Sequence, residues 1–199
     1  MSSPQDKNAE QENSVLKIYE SGRLDLALDL AKKMYMSDPE SKNDPGFVLI
    51  YVKILLDSEG PTSLIQGLLA EAHLLDPKRK DIMDYIELVE AKRYLKKGLN
   101  DTGETQLRNL LRRSPDNVQA HFILGTHLFW MDEQIQMAIP HLETCLRLSP
   151  NFLRAWGCLG AIYKKMGNSQ LSIRAFQKCI ELEPNERMKE YFEKEVKAC

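Results

Sequence analysis

Only four cysteines occur in 199 residues: Cys145, Cys158, Cys179 and Cys199. None forms a C-x-x-C pair and no histidine stands at zinc-finger spacing, so neither a zinc site nor a redox pair is written here. Net charge is only -2, which removes the broad basic bias that nucleic-acid binding needs. Long apolar runs are missing as well: nothing approaches the roughly 18 residues of a membrane span. The opening MSSPQDKNAEQENS is polar and lacks the apolar core of a secretory signal. The expected compartment is therefore cytoplasmic or nuclear. In a reducing compartment Cys145 and Cys179, each five residues before a proline, read as small core residues. Asn100-Asp101-Thr102 fits a glycosylation sequon but without secretion reads as a turn.

Catalytic patterns are missing too. His73, His121, His127 and His141 show no H-E-x-x-H spacing, and His121 and His127 are six apart, on different sides of one helix. There is no G-x-S-x-G and no phosphate-binding glycine loop. Lys78-Arg79-Lys80 sits beside Asp81 and Asp84 and reads as a solvated loop. Most aspartates and glutamates fall at surface positions of the helical pattern. No enzyme activity, cofactor or metal is expected.

What is present is repetition. Five prolines, Pro39, Pro77, Pro115, Pro150 and Pro184, stand 34 to 38 residues apart. Seventeen residues before four of them lies a glycine: Gly22, Gly60, Gly98 and Gly167. Twelve before come Ala27, Ile65, Gly103, Ala138 and Ser172, four of the five small. Eight before come Ala31, Leu69, Leu107, Leu142 and Phe176; twenty-one before come Ile18, Leu56, Tyr94, Phe129 and Tyr163. One helical hairpin is written five times. A lone hairpin cannot bury both faces, so only a stacked array makes physical sense of the pattern.

The last copy is the clearest. Trp156-x2-Leu159-Gly160-x2-Tyr163, then Ser172-x3-Phe176, then Pro184, resembles a tetratricopeptide repeat, with Ser172 where the family usually has alanine. The fourth copy matches through Leu124, Gly125, Ala138, Leu142 and Pro150; the first three match more weakly. The resemblance covers roughly residues 8 to 199. It implies an all-α, right-handed α-solenoid of about five hairpins, closed by a C-terminal capping helix. The expected organisation is a disordered leader over 1–12, solenoid units at about 13–41, 45–79, 81–117, 118–152 and 153–186, and a cap over 187–199.

Three irregularities are visible. The second copy has four extra residues before Pro45. The third has four extra before Tyr94, which a longer first helix would absorb. The fourth has one extra residue and Pro140 inside its second helix, so a kink or bulge is expected there.

In the family the first helices line a concave face. On that basis the expected partner-binding residues are Tyr85, Lys92, Lys96, Phe122, Trp130, Arg154 and Lys164, with aromatics as anchors and cations selecting an acidic segment. Some relatives grip a chaperone's terminal carboxylate with a Lys/Asn/Arg clamp. Here the matching positions hold Glu12, Leu16, Ile50, Tyr51 and Ile54, so no Hsp90- or Hsp70-type clamp is expected. The function so implied is a non-catalytic protein–protein interaction adaptor. The alternative is a constitutive subunit of a larger assembly that uses the apolar helix 47–56 or the solenoid ends. Tyr163 and Phe176 are both expected in the core of the last hairpin.

Overall fold

Short polar side chains and prolines start the helices. Asp44 accepts from the Gly46 N–H at 2.7 Å, with Pro45 in the first turn. Asn117 accepts from Ala120, Asn168 from Leu171, and Asn185 from Arg187 and Met188. Each satisfies an N–H that a helix start leaves without an intrahelical partner. The computed structural model describes residues 13–131, 134–183 and 185–199. The expected leader, Glu12 and Pro184 lie outside the described residues. Among those residues there are twelve α-helices and no strand. They are α1 over 13–20, α2 (Leu24–Ser37), α3 (Pro39–Lys42), α4 (Pro45–Asp57), α5 (Thr62–Leu75), α6 (Lys80–Lys96), α7 (Asn100–Arg113), α8 (Val118–Trp130), α9 (Ile135–Leu148), α10 (Leu153–Lys165), α11 (Ser169–Leu182) and α12 (Glu186–Lys197).

The repeated glycines do two different jobs. Gly22, Gly98 and Gly167 end helices with φ of 83°, 76° and 71°, where a Cβ would be strained. Gly60 does not; Glu59 takes the left-handed φ of 55° in its place. Gly60 is needed for space, since a Cβ there would meet Leu55 Cδ2 at 2.7 Å.

The irregular spacings resolve into helix geometry. In the second copy the extra residues include α3, one turn capped by Asp38. In the third, α6 has 17 residues where α4, α8 and α10 have 13, one added turn. α9 and α11 are both 14 residues long and Pro140 lies inside an unbroken α9. Four residues separate the end of α8 from the start of α9, against three between α10 and α11.

The chain divides into two compact units, one ending at Arg93 and one beginning at Tyr94. In the first, α4 packs against α2, α3 and α5. Phe47, Val48 and Ile54 have no exposed surface, and Tyr51, Leu55 and Leu56 are buried with them. The two-sided apolar pattern of 47–56 is thus spent inside this unit, at about 1.5–3 kcal/mol for each large side chain buried. That corrects the expectation of an assembly surface on this helix. Two acids depart from the solvated majority: Asp57 and Asp84 are 5% and 7% exposed. Asp57 accepts the Tyr19 hydroxyl.

The second unit stacks α8/α9 and α10/α11 as hairpins, with α12 packed on α11. The positions eight and twelve residues before each proline are buried here as the pattern requires: Gly103, Leu107, Ala138, Leu142, Ser172 and Phe176. In the last hairpin the close approach is direct. Ser172 Oγ donates to the Gly160 carbonyl at 2.8 Å, and a Cβ on Gly160 would stand 2.6 Å from the Phe176 ring. Phe176 in turn stacks on Phe192 of α12, centroids 6.2 Å apart.

Candidate functional site

The seven residues expected to bind a partner fall into different situations. Tyr85 and Lys92 belong to the first unit and the other five to the second. Tyr85 is 8% exposed, with Lys53 Nζ 5.9 Å from its ring centroid. Burial first, then the charges of Asp57, Asp81 and Asp84, push its hydroxyl pKa up. Lys92 is half-buried and Lys96 is exposed. Phe122 and Arg154 are brought together, but against each other. Phe122 is 4% exposed, packs on Phe152 at 4.8 Å and lies under the Arg154 guanidinium at 4.6 Å. Lys164 forms an ion pair with Glu195 of α12 at 2.8 Å. Trp130, at the end of α8, is the outlier at 76% exposed.

A concavity lies elsewhere in the second unit. It is a groove of about 580 Å³ floored by α10 and walled by α9 and α11. Trp156, Leu159 and Tyr163 form the floor, joined by Leu146 from α9 and by Leu171 and Ala175 from α11. Their helical spacing explains the convergence: 156, 159 and 163 share one stripe of α10, as 171 and 175 share one of α11. Trp156 is held in place by its Nε1–H donating to the Pro150 carbonyl at 2.8 Å. Tyr163 is half-buried at the groove edge rather than in the core beside Phe176, and its hydroxyl donates to Glu143 at 3.3 Å. Burial, then Glu143, raises its pKa.

The charged walls are unevenly satisfied. Lys178 is ion-paired with Glu181, and Glu143 receives the Tyr163 hydroxyl. Arg147 on α9 and Arg174 on α11 also line the groove, and neither has a carboxylate partner among the described residues. Groove and guanidiniums together present an apolar floor beneath a net positive rim. The sequence reading missed this surface because it read Trp156, Leu159 and Tyr163 as repeat positions, Tyr163 in the hairpin core, and assigned binding to other first-helix positions. No shared register pointed to it: Arg147 stands three residues before its proline and Arg174 ten before its own.

A second cluster links α8 to α9. His121 and His141 approach Nδ1 to Nδ1 at 3.0 Å, while His121 Nε2 lies 2.9 Å from the Pro115 carbonyl. A carbonyl only accepts, so Nε2 carries the proton on His121, and His141 Nδ1–H donates to its partner. Burial lowers both pKa values, that of His141 to about 4. The thiols of Cys158 and Cys179 are pushed up by burial to about 11 and about 12, which leaves them poor nucleophiles at neutral pH. Among the described residues no group of three or more His, Cys, Asp or Glu could hold a metal ion. No described helix is long and apolar enough to cross a membrane.

Comparison with known proteins concerns the fold. The tetratricopeptide repeat family model matches residues 153–186. The tetratricopeptide repeat-containing protein trd-1 of Caenorhabditis elegans is 25% identical over 119 residues, 46% of this chain and 15% of that protein. The match therefore spans a small part of that relative. Among solved structures, the human IFIT1 dimer with PPP-AAAA has 20% identity and a TM-score of 0.55, covering 80% of this chain and 46% of that one. MamA has 20% identity and a TM-score of 0.47, covering 88% and 95%. YrrB, described as a TPR protein with an unusual peptide-binding site, has 13% identity and a TM-score of 0.49, covering 92% and 90%. At these identities the likeness concerns the fold.

Proposed function

We propose that this chain, a member of the tetratricopeptide-repeat family, is a non-catalytic protein–protein interaction adaptor that holds an acidic and apolar segment of a partner in the groove between α9 and α11. One observation carries the reading: about 580 Å³ of mainly apolar groove beneath two guanidiniums with no carboxylate partner among the described residues. That volume lies within the usual range of ligand sites, roughly 300–1,000 Å³. Apolar side chains on the floor supply affinity, and carboxylates opposite Arg147 and Arg174 fix orientation and speed encounter. The concave row is the weaker candidate, because Phe122 is covered by Arg154 and Lys164 is engaged by Glu195.

The test is selection of a random-peptide library on the full chain. Leu171, half-buried on the wall, can be changed to Glu without opening the core. Enriched peptides are expected to bind Leu171→Glu at least about tenfold more weakly, near 1.4 kcal/mol, and Trp130→Ala unchanged. Peptides that ignore Leu171→Glu but lose Trp130→Ala would move the site to the end of α8.

A further inference from the structure

We infer that the occupant of this groove is an α-helix of a partner protein, with two turns of an apolar stripe facing α10 and carboxylates on both flanks. The inference rests on the adaptor reading above and deepens it. The floor runs from Trp156 through Leu159 to Tyr163, seven residues, or about 10.5 Å at the helical rise. A cavity of ~150 Å³ takes one benzene-sized ring, so about 580 Å³ has room for three or four large side chains. An extended strand turns one side chain to a given face every ~6.8 Å and would supply about two over this length. A helix presents positions i, i+3 or i+4, and i+7 along one stripe, which makes three. The helix fills the groove; the strand leaves it under-packed.

The rim decides the sign of charge. Arg147 stands on the α9 wall and Arg174 on the α11 wall, both without a carboxylate partner among the described residues. Lys178 is neutralised by Glu181. An occupant helix has a flank on each side of its stripe, so each wall meets one flank. Glutamate or aspartate there can accept paired N–H bonds from a guanidinium. Glu143, one turn from Arg147 on α9, and Glu181 on α11 stand against Arg147, Arg174 and Lys178, so the rim keeps one net positive charge, and lysine there costs affinity relative to glutamate.

Three probes on the full chain test this. The first is a lactam-bridged helical peptide with leucines along one stripe and glutamates on both flanks. The second replaces the glutamates with lysines. The third keeps the acidic sequence but carries a central proline in place of the bridge. The bridged acidic probe is expected to bind, roughly tenfold or more tightly than either other probe, and to weaken with salt. In the Arg147→Glu/Arg174→Glu chain the preference should invert toward the lysine probe, a gain that misfolding cannot produce. Equal binding of acidic and lysine probes overturns the charge assignment. Equal binding of the proline probe, still abolished by Leu171→Glu, overturns the helix and leaves the groove standing. If no probe binds and library peptides ignore Leu171→Glu, both readings fall together.

Discussion

Phe176→Ala is expected to cost about 3–5 kcal/mol of unfolding free energy, the range for large aromatic truncations in a core. Its ring is 3% exposed. It fills the space left by the missing Cβ of Gly160 and stacks on Phe192. Three helices, α10, α11 and α12, therefore meet on one side chain, together with Cys179. A companion change makes the test specific. Gly160→Ala alone should destabilise by roughly 1–3 kcal/mol, because a well-packed site has no room for the extra carbon. In the Phe176→Ala background the same change should stabilise, since the clash is gone and alanine favours a helix over glycine by up to ~1 kcal/mol. Denaturant titration of the four chains reads this directly. An unchanged midpoint for Phe176→Ala, or a Gly160→Ala effect of the same sign in both backgrounds, would contradict the packing described.

Acidification should produce the second large effect, through His121 and His141. Both are neutral in the fold, with pKa values lowered from 6.5, that of His141 to about 4. The unfolded chain binds protons below about 6.5 while the folded chain does not. Stability is therefore fully present above 6.5 and falls as pH drops from there to about 4. The pair can take one further proton, at His141 Nε2, and keep its hydrogen bond, but a second, at His121 Nδ1, sets N–H against N–H. The facing groups are balanced in sign: Arg147 and Asp116 act on His121, and Arg108 and Glu104 on His141. His127 also stands 3.8 Å from Glu104. Each pKa unit is worth about 1.4 kcal/mol; both rings are only half-buried, and screening reduces this to a net loss of about 1–2 kcal/mol. His141→Gln should remove most of the extra loss between neutral pH and pH 4.5, measured by urea titration. If variant and intact chain lose equal stability, other groups carry the acid response.

Helix pairing was legible in the sequence because one constraint recurs. Where two helices cross, the crossing residue must be small and its neighbour large. That left Ala138 with Leu142 and Ser172 with Phe176 at fixed distances from a proline, and all four are buried. Turn glycines were legible for the same reason at Gly22, Gly98 and Gly167. Gly60 shared the spacing without sharing the conformation, since spacing records that a glycine is needed but not why. Pro140 was weighed against an ideal helix, and α9 nevertheless keeps the 14-residue length of α11. The binding surface was the least legible part. Phe122 and Arg154 look like an aromatic anchor and a cation for a ligand, yet each satisfies the other. The groove draws on three helices and depends on the gap between α9 and α11, a distance no single-copy pattern encodes.

The adaptor groove is tested most directly by methyl NMR of the full chain titrated with the bridged acidic helix. The account predicts shifts at Leu146, Leu159, Leu171 and Ala175, which line the groove. It also predicts none at Leu124 or Leu128 within α8, or at Leu55 of the first unit. Shifts centred on α8 near Phe122 and Trp130, or on the first unit, with the groove methyls unmoved, would contradict it.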